Sequence, residues 1–279
     1  MPTVGAAWRL AQKTLEDGGI FPAPREGQRI VAHLLGRELM QLQEVERQEL
    51  SPQNDYLLDE ILERRLKREP LAYILGYADF YGHTWAVGPQ VLIPRHDTET
   101  LVEAALKALK DGNLIVEVGV GSGAVLGSIL LARPAVRGVG IDISPEARTM
   151  AIDNLEAVKV LHRCKLLLGD TLAPFEGMAD VIISNPPYIA EAEWAALEPD
   201  VRDFEPKLAL AAGVDGLGVY RNLVPQAFAK LKPGGTLLVE IGANQSLPVG
   251  ALFTQAGFTN VRTLPDLAGR DRVVMGRKP

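Results

Sequence analysis

The chain has 279 residues, 47% of them hydrophobic and 23% charged, the profile of a globular protein with material for one large or two modest cores. Its net charge of −6 and isoelectric point of about 5.4 argue against a protein that wraps nucleic acid by neutralising phosphates, leaving at most a local basic patch. The single cysteine, Cys164, excludes an internal disulfide and fits a reducing compartment, and the scattered histidines His33, His83, His96 and His162 lack metal-ligand spacing, so no metal site is expected.

The first residues carry no basic stretch leading into an apolar core, so no signal peptide is expected. No apolar run reaches the roughly 18 residues of a membrane span. Residues 1 to about 75 read as helical, with Leu34, Leu35 and Leu39 predicting one apolar stripe. Ser51-Pro52 predicts a helix start, with serine as N-cap and proline in the first position. Leu57, Leu58, Ile61, Leu62 and Leu66 then recur at helical spacing, while Glu63, Arg64, Arg65, Lys67 and Arg68 take a mostly solvated face. Pro70 is the predicted stop. This segment holds no catalytic candidate and reads either as a partner-docking module or as a packing cap. Residues 77 to 93 interleave Tyr77, Phe80, Tyr81, Trp85, Val87, Val91 and Ile93 with glycine and proline, the pattern of a β-hairpin. Thr98 is the predicted N-cap of a helix over Glu99 to Lys110.

From Leu114 onward the pattern is strand, loop, helix, repeated. The predicted strands are Leu114–Val118, Val136–Ile141, Lys165–Leu168, Val181–Ser184, Thr236–Ile241, Thr259–Thr263 and Arg272–Met275, with predicted helices opening at Pro145 and covering Val219–Leu231. Cys164 lies beside Arg163, Lys165 and leucines and reads as packing. Only Leu264 to Asp271 separate the last two strands, too few for a crossover helix, so they form an antiparallel pair. The expectation is an α/β fold, doubly wound, with a mixed sheet covered on both faces.

Two stretches in this sheet carry chemistry. Glu117-Val118-Gly119-Val120-Gly121-Ser122-Gly123 follows the first strand, where glycines allow a tight turn and close approach of a ligand. Asp142 ends the second strand, 19 positions after Gly123, where a carboxylate can accept from both hydroxyls of a ribose. These residues leave a nicotinamide or flavin cofactor and S-adenosylmethionine equally open, since Gly119, Gly121 and Ala124 also meet the dinucleotide pattern. Glu117 favours S-adenosylmethionine, because a carboxylate there meets a cationic ligand end rather than a pyrophosphate. Asp170, at the end of the third strand, faces an adenine or its neighbourhood. The alternative for both acids is a strand-end cap. The second stretch is Ser184-Asn185-Pro186-Pro187-Tyr188-Ile189. Neither proline donates a backbone N–H, and a residue before proline is pushed out of the α region. Asn185 and Pro186 are therefore expected to be extended, with the Pro186 carbonyl and the Asn185 side chain presented together at a strand's carboxyl end. Two acceptors beside the flat face of Tyr188 suit a planar group bearing NH₂, either a carboxamide or an exocyclic base amine.

With the glycine loop and Asn185-Pro-Pro-Tyr188 combined, the chain resembles a class I methyltransferase acting on a planar nitrogen, and within that group the HemK/PrmC family of protein-(glutamine-N5) methyltransferases of peptide chain release factors. Further segments carry the resemblance: Pro70 to Gly76, Phe80-Tyr81-Gly82, Val91 to Arg95, Thr98-Glu99, Asp142-Ile143-Ser144, Phe204-Glu205-Pro206 and Glu240-Ile241-Gly242. The chain departs from the family at His96-Asp97, where many members have Pro-Glu, and at Thr171, where an aromatic residue often packs on adenine. The resemblance implies a class I S-adenosylmethionine-dependent fold, Rossmann-like with seven strands. It implies a helical substrate-docking domain over residues 1–75, a hairpin linker over 76–96 and a catalytic domain over 97–279. Glu117, Gly119, Val120, Gly121, Ser122, Gly123, Asp142, Ile143, Asp170, Thr171 and Asn185 are the implied cofactor residues, with S-adenosylhomocysteine as the product. Asn185, Pro186 and Tyr188 are the implied catalytic residues, and together with Pro187 they hold the substrate. The implied substrate is the glutamine of the Gly-Gly-Gln loop of class I release factors, reached by a cytoplasmic enzyme, expected to be a monomer, with no membrane or direct nucleic-acid contact. Competing readings are a ribosomal-protein glutamine methyltransferase, an adenine-N6 or cytosine-N4 nucleic-acid methyltransferase, and a non-catalytic binding module.

Overall fold

The computed structural model describes residues Met1–Pro279. The chain divides into two compact units, one of Met1–Gly76 with Pro199–Phe204, the other of Tyr77–Glu198 with Glu205–Pro279.

The first unit is helical: α1 Val4–Asp17, α2 Ala23–Leu35, α3 Pro52–Leu66, α4 Leu71–Leu75 and, from the distant segment, α8 Pro199–Phe204. Ser51 caps α3 as expected, its Oγ accepting from Asn54 N at 3.2 Å with Pro52 in the first position. Three expectations are corrected. Leu34, Leu35 and Leu39 do not form one stripe, because α2 ends at Gly36 in the left-handed region, φ 60°; Leu39 is exposed, and Ile30, Val31 and Ala32 carry the buried face instead. Helix α3 stops at Leu66, ahead of a left-handed Arg68 with φ 70°, so that Pro70 opens α4 rather than ending α3. Arg65 leaves the solvated face altogether. Its side chain is 5% exposed and pairs with Glu26 at 2.8 Å and with Asp200 of α8 at 2.7 Å. A guanidinium with two carboxylate partners tolerates this burial, and one without them would not.

The second unit opens with the hairpin β1 Tyr77–Phe80 and β2 His83–Ala86, antiparallel, turning through Tyr81 and Gly82, which both have positive φ as a primed two-residue turn requires. The hairpin is part of this unit's core and not a free connector. Trp85 is fully buried and its ring lies where a Cβ on Gly127 would stand. The sheet that follows holds β3 Leu114–Val118, β4 Arg137–Asp142, β5 Cys164–Leu168, β6 Ala179–Ser184, β7 Leu231–Glu240, β8 Thr259–Pro265 and β9 Asp271–Arg277. Its order is β5-β4-β3-β6-β7-β9-β8, parallel except for β9, which is antiparallel to both neighbours. The helices are α5 Glu99–Ala108, α6 Ala124–Ala132, α7 Pro145–Ala157, α9 Gly218–Lys230 and α10 Ser246–Gln255. Successive residues feed opposite faces: Ile115, Ile183, Leu238 and Val273 pack in a core with α5, α6 and α7, while Val116, Ile182, Leu237 and Val274 pack in a second core with α9 and α10. Burial on both faces is why these strands read as unbroken apolar runs rather than alternating ones. From β3 the chain winds outward through β4 and β5, then returns to β6 on the other side, so the carboxyl ends of β3 and β6 flank a topological switch point, where open α/β sheets bind ligands. No helix of the chain is long and apolar enough to cross a membrane.

Candidate active site

The glycine loop leaves β3 and enters α6 through three left-handed residues, Gly119 at φ 76°, Gly121 at φ 53° and Gly123 at φ 80°. The glycines serve different ends. A Cβ on Gly121 would meet nothing within 4 Å, so that glycine serves backbone conformation and open space, whereas a Cβ on Gly123 would stand 3.2 Å from Ala151 of α7, so that one serves close packing. Asp142 at the end of β4 holds the loop: its Oδ2 accepts from Gly121 N at 2.9 Å and its Oδ1 from Ser144 N at 3.0 Å. Each carboxylate oxygen keeps acceptor capacity for a ligand hydroxyl. Glu117 is 2% exposed, and its Oε2 accepts from Leu126 N at 3.0 Å in the first turn of α6. Burial pushes its carboxyl well above the usual range, the Leu126 N–H opposes this, and the nearby Asp142 adds to it.

On the other side of the switch point, Ser184 Oγ donates to Val118 O at 2.7 Å and ties the end of β6 to the end of β3. The chain then runs through Asn185 to Tyr188 without helix or strand, as two prolines require. The Asn185 backbone oxygen passes 3.8 Å from where a Cβ of Gly119 would stand, so the two chemistry-bearing stretches adjoin. Asn185 Nδ2 donates to Thr98 Oγ1 at 3.3 Å. Thr98 holds the predicted N-cap position of α5, but it is 2% exposed, has helical φ and ψ and its side chain makes no capping bond. Helix α5 ends at Ala108, two residues short of the expected Lys110. The sequence carried no local sign of this use of Thr98, because its partner is 87 positions away.

These residues surround one cavity of about 490 Å³, lined by Glu117, Gly119, Val120, Gly121, Ser122, Asp142, Ile143, Asp170, Thr171, Asn185, Pro186 and Pro187 among others. Gly123 is not in the lining. Tyr188 is not either: its ring packs against the core that contains α9 and α10, and its carbonyl accepts from Gln245 Nε2 at 3.0 Å. Burial pushes its phenol up to about 12, so it stays neutral. Asp170 is exposed at the rim, whereas Thr171 is buried in a left-handed conformation, φ 47°, with its hydroxyl donating to Gln226 Oε1 at 3.0 Å. Several lining or supporting residues were not among the expected site residues. Arg95 lines the cavity and is clamped by Glu205, which is buried and also accepts from Ile93 N at 3.3 Å. Asn154 of α7 donates from Nδ2 to Ser122 O at 2.8 Å and to Ala86 O at 2.9 Å, joining loop to hairpin.

The arrangement offers a carboxylate for paired hydroxyls, a buried acid for a cationic group, glycines that admit a ligand to the backbone, and amide and carbonyl acceptors across from them. That set fits S-adenosylmethionine.

Comparison with known proteins agrees. Residues 6–76 match the family model described as the PrmC N-terminal domain, and residues 96–198 match that of the methyltransferase small domain. A release factor glutamine methyltransferase of Caulobacter vibrioides is 40% identical over 279 residues, covering 99% of this chain and 96% of the relative. One from Cereibacter sphaeroides is 40% identical over 273 residues, covering 98% of each. Among solved structures, a methyltransferase from Pyrococcus furiosus superposes with a TM-score of 0.54 at 18% identity, over 79% of this chain and 98% of that one, which speaks to the fold alone. By identity and coverage together, the chain belongs to the family of release factor glutamine methyltransferases.

Proposed function

We propose that this protein methylates the side-chain amide nitrogen, N5, of the glutamine in the Gly-Gly-Gln loop of class I peptide chain release factors. The observation that carries the reading is the placement of Asn185, which lines the same cavity as Asp142 and Glu117 with its carboxamide held at one end by Thr98. S-adenosylmethionine, when bound, supplies a methyl group on a positively charged sulfur with a neutral leaving group.

An amide nitrogen is a poor nucleophile because its lone pair is delocalised into the carbonyl. The protein's task is therefore alignment, exclusion of water and electrostatic support. Asn185 Oδ1 and the Pro186 carbonyl each accept one hydrogen of the substrate NH₂. Held at two points, the nitrogen turns its lone pair out of conjugation and toward the methyl carbon, and both acceptors stabilise the positive charge that grows on it. Pro187 completes the wall. Tyr188 acts through the backbone turn, which Gln245 anchors, because its ring lies in the neighbouring core. No base is needed before the transfer, since the nitrogen proton becomes acidic only afterwards. Residues 1 to about 75 dock the folded partner. The enzyme acts as a cytoplasmic monomer on protein rather than nucleic acid, in keeping with its net charge of −6.

The experiment is transfer of a labelled methyl group. Label is expected on the release factor glutamine and is lost when that glutamine is replaced. Transfer instead to a ribosomal protein or to DNA selects one of the competing substrates.

A further inference from the structure

Arg95 stands on the same wall of the cavity as Asn185. It precedes the short 3₁₀ turn His96–Thr98, and its backbone carbonyl accepts from Thr98 N at 3.0 Å. Thr98 is the residue whose hydroxyl accepts from Asn185 Nδ2. The Arg95 guanidinium is anchored through Nη2 to Glu205, whose carboxyl also accepts from Ile93 N at 3.3 Å. The Glu205 side chain is 1% exposed and that of Arg95 40%. The carboxylate is therefore committed to the interior, while the Arg95 side chain remains accessible on the cavity it lines. The segment after Glu205 completes this wall. Pro206, Leu208, Ala209 and Ala211 line the cavity. Leu210 O accepts from Ile189 N, and Ile189 O from Ala212 N, both at 2.9 Å. Glu205 thus joins Arg95 to the segment that pairs with the exit of the Asn185 turn.

A guanidinium carries five N–H donors in a planar fork and no acceptor, more than its contact with Glu205 uses. The pair as a whole has no net charge. That matters in a cavity that fits S-adenosylmethionine, because a lone cation would repel the sulfonium, whereas a balanced one offers donors without that cost. A Gly-Gly-Gln segment has no side chain ahead of its glutamine, so what a protein can hold there is the backbone. Its carbonyls lose water on entering the cavity and need donors in exchange. In the reaction proposed above, Asn185 Oδ1 and the Pro186 carbonyl are acceptors for the substrate NH₂ and cannot meet that need. We propose that Arg95, held by Glu205, is a substrate-binding residue that donates to backbone carbonyls of the peptide segment carrying the reacting glutamine. The inference rests on the amide-methylation reading and adds to it the group that holds the substrate main chain.

Two other roles for Arg95 make different demands. The first is a contact with the carboxylate of S-adenosylmethionine. A carbonyl needs a donor and no net charge, so the paired guanidinium suits it, whereas a second carboxylate would meet a cation that Glu205 already neutralises. The second is a purely structural ion pair that props Ile93 against the segment after Glu205. Such a pair would act only through the shape of the wall, and replacing both partners together would restore what replacing one disturbs.

Arg95→Lys keeps a cation for Glu205 and gives up the planar fork. Its KM for intact release factor is expected to rise at least about tenfold, with kcat near wild type and calorimetric affinity for S-adenosylmethionine unchanged. Arg95→Met combined with Glu205→Gln removes both charges and every Arg95 donor, and keeps an acceptor for Ile93 N. Its KM is expected to stay raised, because the lost group is a donor to the substrate and not a prop. A second readout needs no turnover: binding of intact release factor to enzyme saturated with S-adenosylhomocysteine is expected to weaken by the same factor in Arg95→Lys. Wild-type KM in Arg95→Lys overturns the proposal, as does wild-type KM in the double variant, which would make the pair structural. Weakened S-adenosylmethionine binding in Arg95→Lys also overturns it, placing Arg95 on the cofactor carboxylate. If wild type itself transfers no methyl to the release factor, it is the amide-methylation reading that fails. The binding arm still decides the role of Arg95: equal affinity in variant and wild type, or no binding by either, overturns it.

Discussion

At the scale of single residues, the proposed reaction turns on Asn185. Asn185→Ala removes one of the two acceptors proposed for the substrate NH₂ and leaves Pro186, the glycine loop and Asp142 in place. A fall of about a hundredfold in kcat is expected, on the order of 3 kcal/mol in the barrier, with S-adenosylmethionine affinity unchanged by calorimetry. Equal rates for variant and wild type would reduce Asn185 to a strand-end residue. Asn185 was legible in the sequence because two following prolines forbid the local hydrogen bonds that would otherwise occupy that turn. Thr98 was not. A threonine before Glu99 has the form of an N-cap and takes that position, but its hydroxyl accepts from Asn185, just beyond β6, and makes no capping bond.

At the scale of elements, the strand–loop–helix unit from β3 to α6 carries a buried acid. Glu117 ionises freely in the unfolded chain near 4.5, whereas burial raises it well above that value in the fold. A carboxyl raised on folding contributes stability that is fully present below the unfolded value and is lost as pH rises toward the folded one. Glu117→Gln can keep an acceptor for Leu126 N and does not ionise. The melting temperature of the ligand-free variant minus that of wild type is therefore expected to grow more positive between about pH 5 and about pH 8. A difference independent of pH would mean that Glu117 is solvated in the fold. The observed strands match the predicted ones to within a few residues, with β7 the largest departure: it starts at Leu231 rather than Thr236. Ala179 of β6 registers with Leu231 across an irregularity before regular pairing resumes at Val181 and Thr236.

At the scale of the whole molecule, the division into two units makes two tests available. Arg65 serves the helical unit through Glu26 and Asp200. Arg65→Ala leaves two carboxylates, 16% and 24% exposed, without their cation, and is expected to cost roughly 3 kcal/mol of stability in denaturant unfolding. A loss within error of zero would show that the carboxylates find other partners or water. The docking role proposed for residues 1 to about 75 is read separately. Every residue lining the cavity belongs to the second unit, so a chain beginning at Tyr77 is expected to bind S-adenosylmethionine with wild-type affinity while its kcat/KM for intact release factor collapses. Undiminished kcat/KM on the folded partner would remove the docking role.

The alternation of apolar runs with helical periodicity determined the doubly wound sheet, because a strand buried on both faces has no alternative to continuous hydrophobicity. The glycine loop, Asp142 and the Asn185 turn were legible for a related reason: each is a backbone constraint, and backbone constraints are written in adjacent residues. Side-chain partnership across the fold is not. The sequence alone could not show that Arg65 would be buried, since its carboxylates stand 39 and 135 positions away at Glu26 and Asp200. Nor could it show that the Tyr188 ring would pack into a core rather than line the cavity, or that the Asn185 carboxamide would donate to Thr98. Those choices follow from which strand ends and helix starts are brought side by side, and only the tertiary structure decides that.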